Sequence, residues 1–436
     1  MKKAALVAFF PEASFGAALN CVGIAQELRA AGARPVFICH PGFHGVFAEY
    51  GFPEYHLNGA DDLSEDRRQR YWDDFVQRHR DTFRLAPLDQ IEAYVVPTWE
   101  AIVDTAVAVE APLKQLLARL KPDVVVLDNV VMFPAIAAAG VPWVRVVSCA
   151  ETEIADPRVP PAFSGCRVDD AAGQALFRAR YAAAIAPVHE RYNRFRAACD
   201  LPPLPGTDFI EASPHLNLML TPQVVRLDRE RPLEEPAFVF LDGCVRAEGP
   251  YVPPTFPRHD DAALVLTSFG SLGSMDVALI ERMIGVFSRL PYRFLVNVGA
   301  WRDAYRQVPD NVYLDSWFPQ PSVVAESRLF IHHGGNNSFC EALNFGVPSL
   351  VMPYCWDGHD NAARAEEAGV GARLPRYDWT EAELAAAITG LVEDRGLNAR
   401  LSAVGERMRA GHGARRAAEA ILARVGQAAA RVAAGG

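Results

Sequence analysis

The stretch Phe330-Ile331-His332-His333-Gly334-Gly335-Asn336-Asn337-Ser338-Phe339-Cys340-Glu341 carries the densest chemistry in the chain. It passes from a short apolar segment through two glycines into a helical pattern. Glycines let a backbone turn tightly and come close to a ligand. A helix start after such a turn offers unpaired N–H groups and the positive end of a dipole, the physical basis of phosphate binding. Asn337 and Ser338 add side-chain donors, and His333 adds one that becomes cationic on protonation. Glu341, one helical turn on, shares a face with this start and can accept paired hydroxyls such as those of a ribose. An ordinary strand-to-helix turn explains the glycines, but not His, Asn, Ser and Glu together.

These residues need a frame. Leu329 to His332 reads as a buried strand, and the helix that follows runs from about Asn337 to Phe345, ended by Gly346 and Pro348. Around it the pattern predicts strands at Ala263–Thr267, Tyr292–Val298 and Ser349–Tyr354, and a helix at Val277–Leu290. Thr380-Glu381-Ala382-Glu383 is a capping box opening a helix toward Glu393. The first half begins with a strand–helix–strand unit: Ala4–Phe10, Cys21–Ala31 closed by Gly32, and Pro35–Cys39. Then come a long helix at Ala101–Leu120, a strand at Asp123–Leu127 ending at Asp128, a helix at Phe133–Ala139 and a strand at Trp143–Val147. Leu57 to Gln90, polar and aromatic, reads as a helical insertion of the kind that shapes a pocket. The expectation is an α/β protein with two facing, doubly wound, Rossmann-like domains and a cleft at the carboxyl ends of their strands. Residues 1–235 form the first domain, the proline-rich 236–257 the linker, 258–413 the second domain and 414–436 a final helix.

Composition sets outer bounds. At 436 residues the chain exceeds the roughly 250–300 at which one core stops growing, so two domains are the default. With 43 Lys+Arg against 53 Asp+Glu the formal charge is −10, which argues against duplex nucleic acid. No apolar run approaches the roughly 20 residues of a spanning helix. The eight cysteines form no Cys-x-x-Cys pair, which suits buried thiols in a reducing compartment. The apolar start ends at Pro11-Glu12, too soon for a leader, and cytoplasm is the expected location.

Trp317 to Asn361 resembles the donor-binding signature of the inverting UDP-glycosyltransferase family, especially its bacterial, macrolide-type (natural-product) branch of GT-B fold. The matching pieces are Trp317-Phe318-Pro319-Gln320, His333 to Ser338, Glu341 and Asp357-Gly358-His359-Asp360-Asn361. Ser268-Phe269-Gly270-Ser271 extends the likeness. The resemblance implies that Trp317 stacks on the nucleobase and Gln320 contacts the nucleoside. Glu341 would hold the ribose hydroxyls, Ser271, His333, Gly335, Asn337 and Ser338 the diphosphate, and Asp357 and the Gly358 position the donor sugar. It implies no cofactor and no metal: a UDP- or dTDP-sugar co-substrate, a small hydrophobic acceptor, and inversion at the transferred carbon. The chain has no Asp-x-Asp triplet, which fits metal-independent transfer. Tyr71, Trp72, Phe75, Phe83, Tyr94 and Trp99 would supply apolar walls for the acceptor, although some of them must be core. The final helix would return to the first domain, and a homodimer stays open.

Two positions depart from the family. Its catalytic histidine follows a glycine after the first strand, and here that pair is Gly16-Ala17. Asp128 stands where the family pairs an aspartate with the histidine, so Asp128 is the candidate base. Glu12, Ser14, His44 or Glu151 could serve instead, or the protein could bind nucleotide sugar silently or activate a partner enzyme. A GT-B nucleotide-sugar epimerase shares the fold and the cradle. Secondly, Gly358 replaces the family's glutamine, which removes hydrogen-bonding groups and opens room for a deoxygenated or bulkier sugar.

Overall fold

The computed structural model describes residues 4–40, 43, 45–57, 74 and 77–435. Among them two all-parallel sheets form. The first comprises β1 (Leu6–Pro11), β2 (Arg34–Cys39), β3 (Glu54–His56), β4 (Val124–Asp128), β5 (Trp143–Val147), β6 (Leu216–Met219) and β7 (Phe238–Phe240). Their order is β3-β2-β1-β4-β5-β6-β7. The second comprises β8 (Leu264–Ser268), β9 (Arg293–Asn297), β10 (Val312–Asp315), β11 (Leu329–His332), β12 (Ser349–Val351) and β13 (Gly371–Arg373), ordered β10-β9-β8-β11-β12-β13. Both orders reverse beside their first strand, between β1 and β4 and between β8 and β11. A crevice opens at the carboxyl ends of the strands at such a point.

The strands are apolar on both faces because helices cover both. Val124 and Val126 of β4 pack with α1 (Phe15–Ala30), while Val125 and Leu127 pack with α2 (Val96–Leu120) and α3 (Ala171–Ala198) on the other face. In the second domain α4 (Val277–Phe287), α5 (Asn336–Phe345), α6 (Asp357–Glu367), α7 (Glu381–Glu393) and α8 (Arg395–Ala410) play this part. Thr380 and Glu383 form the capping box of α7. The last helix, α9 (Gly413–Gly435), does return to the first domain. Its Ala417, Ala418 and Ile421 share a cluster with Ala18, Cys21 and Val22 of α1.

Some boundaries differ from expectation. α1 starts at Phe15 rather than Cys21, because the Ser14 hydroxyl caps it by accepting from the Ala17 amide. Phe238–Phe240, expected in the linker, is the seventh strand, with Asn217 opposite Phe238. It is an edge strand, where flanking prolines are tolerated, so the proline signal concealed it. The first domain therefore runs past residue 235. Most of the expected insertion, with Tyr71, Trp72 and Phe75, lies outside the described residues.

Candidate functional site

β11 delivers His333, Gly334 and Gly335 to the start of α5, with Gly335 as N-cap. Gly334 has φ +92°, and a Cβ there would lie 2.6 Å from the Gly358 carbonyl oxygen, so only glycine fits. The His332 Nδ1 accepts the Gly334 amide at 3.1 Å and fixes the turn. Asn361 ties down the other side, its Nδ2 donating to the Gly334 carbonyl at 2.7 Å. Asp357, first residue of α6, accepts the Asn336 amide at 3.2 Å, so a carboxylate already touches the helix start. The Asn337 and Ser338 amides, in the first turn, have no partner among the described residues and are left for a ligand.

The space expected at Gly358 is absent. A Cβ at Gly358 would come 2.5 Å from the His333 carbonyl oxygen. The glycine lets the start of α6 press against the cradle, and this packing leaves a glutamine no room.

The His333 ring lies between Gly270, whose added Cβ would come 3.1 Å from Cε1, and the Tyr354 ring at 5.3 Å. Burial, then the nearby Arg376 cation, lower its pKa to about 4, and its Nδ1 has no hydrogen-bond partner. His333 is therefore neutral at neutral pH. Ser271 falls in the short helix Gly270–Gly273, but its side chain lies outside the described atoms. Arg376, to which no spacing pointed, donates to the Gly273 carbonyl at 3.0 Å and stacks over Phe269 and Tyr354. Its Nη1 is buried without a partner among the described residues.

At the nucleoside end, Phe318 enters the core while Trp317 keeps 48% of its surface exposed, 5.9 Å from the Phe15 ring of the first domain. An exposed indole face suits a flat base. The Gln320 amide donates to Ser338 Oγ at 3.1 Å and to Glu341 Oε2 at 2.6 Å. Glu341 Oε1 accepts from Arg246 at 2.8 Å and from Asn337 at 3.2 Å. Glu341 is wholly buried, and burial raises its pKa more than Arg246 lowers it. Both of its oxygens are thus engaged by protein donors. Arg246 lies in the expected linker, where nothing in the sequence marked it.

The opposite wall belongs to the first domain. Asp128 ends β4, but it is 2% exposed, sealed by hydroxyl donation from Ser148 at 2.6 Å and by the Cys21 thiol at 3.6 Å. Burial raises its pKa, and with one oxygen accepting from Ser148 and the other from Cys21 both are already engaged. Ala17 lies one helical turn before Cys21, so a histidine there would stand next to Asp128. Glu12 follows β1 directly, its amide bonded to the Asp128 carbonyl at 2.8 Å. Burial, reinforced by Glu153, holds the Glu12 carboxyl up to about 7. Glu151 is bound by Arg229 at 3.0 Å and by the Leu227 amide, while His44 lies outside the described residues.

The two walls are closed on one another. Asp360 of α6 accepts from Thr152 Oγ1 and the Phe163 amide at 2.7 Å and from the Gly165 amide at 2.9 Å, all in the first domain. His359 pairs with Gln90 at 3.1 Å, and Gln90 donates to the Tyr354 carbonyl at 2.8 Å. The second half of the resemblance's loop is therefore an interdomain latch. Phe83, Tyr94 and Trp99, expected as acceptor walls, are buried core. Trp99 stacks on Phe209 at 4.0 Å, and Phe83 meets Tyr354 at 4.9 Å. Among the described residues one trio could hold a metal, Cys39, Glu54 and His56 on β2 and β3. Glu54 there already accepts the amides of Gly45, Phe47 and Ala48.

Residues 294–422 match the family described as erythromycin biosynthesis protein CIII-like, C-terminal domain. The NDP-glycosyltransferase YjiC of Bacillus subtilis (strain 168) is 28% identical over 240 residues, 54% of this chain and 60% of its own length. The matched segments span 30–60% of the lengths of the first such curated relatives. The solved glycotransferase of kitacinnamycin superposes with a TM-score of 0.71 at 21% identity, covering 97% of this chain and 100% of its own. The glycosyltransferase VinC, solved in complex with dTDP, gives 0.66 at 15% identity, covering 98% and 100%. At these identities the superpositions establish the architecture, two facing doubly wound domains. No helix of the described residues is long and apolar enough to cross a membrane.

Proposed function

We propose that the chain is a GT-B relative of the natural-product UDP-glycosyltransferases, a reading supported by the family match over residues 294–422, the YjiC likeness and the superpositions, and that it transfers a sugar, with inversion, from a nucleoside diphosphate sugar to a small hydrophobic acceptor. The observation that carries this is the start of α5, where a turn only glycine can make leaves the Asn337 and Ser338 amides unpaired. Trp317 would stack on the base. Gln320, released from Glu341 Oε2, would leave that oxygen to a ribose hydroxyl. The α5 amides and dipole, with His333 as a neutral partner, would hold the diphosphate and stabilise the charge it gains on leaving. No metal is needed for that, and Asp357 would meet the sugar hydroxyls. The dTDP in VinC favours dTDP beside UDP as the nucleotide.

The acceptor would enter from the first-domain wall. Its oxygen attacks the anomeric carbon from the face opposite the leaving diphosphate, which inverts that centre. The Asp360 latch holds the halves together and limits water, so that transfer outruns hydrolysis.

A mass-spectrometric screen of UDP- and dTDP-sugars against aliphatic and phenolic acceptors tests the proposal. Glycosylated product or donor hydrolysis is expected. Intact donor in every reaction, from protein that binds nucleotide, would replace transfer by silent binding.

A further inference from the structure

Position 17 holds alanine and Asp128 is sealed, so the proposed transfer has no base at either place the family would use. We propose that Glu12 is the general base that takes the proton of the acceptor hydroxyl. This rests on the transferase reading above and names a residue that reading leaves open.

Place comes first. Glu12 is the first residue beyond β1 at the β1/β4 switch point, and its amide bonds the Asp128 carbonyl. Pro11, just before it, is the register partner of Asp128. Two residues later Ser14 caps the helix whose first turn carries Ala17. Glu12 thus stands on the same rim of the cleft as the absent imidazole. Unlike Asp128, it is only half-buried.

Its neighbours come from both walls. Glu153 is the charge that acts most on Glu12, and the Ser14 hydroxyl bonds it and works the other way. Glu12 in turn acts on Asp128, on Cys149 and, across the cleft, on Asp357. Arg145, the cation that pairs with Glu153, is committed to it. Among the described residues Glu12 therefore meets several acidic groups and pairs with no cation, which strengthens its hold on a proton. A carboxylate of ordinary strength is a poor base toward an alcohol, whereas one held up to about 7 is matched to neutral pH and still partly ionised there.

The other candidates among the described residues are occupied, and His44 lies outside them. Ser14 is the helix cap, Glu151 is locked to Arg229, and Glu153 is held by Arg145. In the step itself the acceptor O–H bond breaks and its proton passes to the Glu12 carboxylate. The acceptor oxygen forms the new bond to the anomeric carbon. The carbon–oxygen bond to the diphosphate breaks, and its electron pair leaves with the nucleoside diphosphate. The proton then returns to solvent.

Glu12→Gln, Glu12→Asp and Asp128→Asn are to be compared with the wild type, using UDP-glucose and dTDP-glucose with aliphatic alcohols, phenols and water as acceptors. UDP and dTDP binding is measured alongside by calorimetry. General-base removal predicts a kcat loss of about 10²–10⁴-fold for Glu12→Gln toward alcohols, with nucleotide Kd within threefold of wild type. Wild-type kcat/KM should rise with pH through about 7. Glu12→Asp should keep that limb at reduced rate, and Glu12→Gln should lose it. Should Glu12→Gln fold poorly, the shifted limb of Glu12→Asp carries the test. Turnover by folded Glu12→Gln within threefold of wild type overturns the proposal and leaves the transferase standing. A wild type that binds UDP or dTDP yet turns over no donor also overturns it. A wild type that binds neither overturns the donor-site reading itself.

Discussion

Gly334→Ala is the substitution whose consequence follows most directly from the geometry of the cradle. Alanine at φ +92° is strained by about 1–3 kcal/mol. Its Cβ would sit 2.6 Å from the Gly358 oxygen, 2.8 Å from Val351 Cγ1 and 2.9 Å from the Gly358 Cα. Two of these are backbone atoms of the first turn of α6, so the turn or the helix must move. Overpacking of this kind adds about 1–3 kcal/mol. A total near 3 kcal/mol lowers the melting temperature of a domain this size by about 6–12 °C. The same shift turns the Asn337 and Ser338 amides away from a bound diphosphate. Losing two hydrogen bonds to a charged group, at about 1.5 kcal/mol each, raises the Kd about 100-fold. Differential scanning fluorimetry and calorimetric titration of UDP and dTDP read the two effects. Gly285→Ala, inside α4 where a Cβ meets nothing within 4 Å, is the control and should be as stable as wild type or more so. A Gly334→Ala protein that melts within 1 °C of wild type and binds nucleotide as well would refute the reasoning.

Gly358→Gln, which restores the family residue, should weaken nucleotide binding and lower the melting temperature, because its Cβ meets the His333 oxygen at 2.5 Å. A widened or narrowed sugar range at unchanged stability would contradict this. Stability should peak near pH 6.5. Glu12 and Asp357 hold protons up to about 7, more tightly than in the unfolded chain, so their protonated forms stabilise the fold and that contribution is lost as pH rises through 7. His40 and His333, lowered to about 4, and His332 and His359, lowered to about 3, act oppositely. The unfolded chain protonates these histidines first, so stability falls as pH drops below 6.5. Melting curves from pH 5 to 8.5 check this. Between the unfolded carboxylate pKa and about 7 each acid lowers stability by on the order of 1.4 kcal/mol per pH unit and so opposes the histidines, and above 7 it adds no further slope; Glu12→Gln should therefore steepen the rise toward pH 6.5.

What the sequence made legible was the local chemistry of strands and turns. Val124 to Leu127, Trp143 to Val147 and Leu329 to His332 are unbroken apolar runs between clear stops, and each is a strand within a residue of expectation. Gly334-Gly335 announced the tight entry to α5, and Trp317 announced an exposed ring. Contacts between distant segments were not legible. Arg246 reaches Glu341 across 95 positions, and Asp360 reaches Thr152 across 208, and no local pattern encodes either pairing. Burial misled as well. Asp128 at a strand end reads as open, but Cys21 and Ser148 seal it, whereas Glu12 reads as a turn residue and proves to stand at the rim. Gly358 reads as a deletion of contacts, yet its role is to let two backbones touch.

The central claim is that the start of α5 and the Gln320–Glu341 pair bind a nucleoside diphosphate. Calorimetric titration of UDP and dTDP into the wild type, His333→Ala and Glu341→Gln tests it most directly. The account predicts saturable one-site binding of at least one nucleotide to the wild type, weakened tenfold or more in both variants. Binding of neither nucleotide to the wild type, or equal binding by all three proteins, would contradict it.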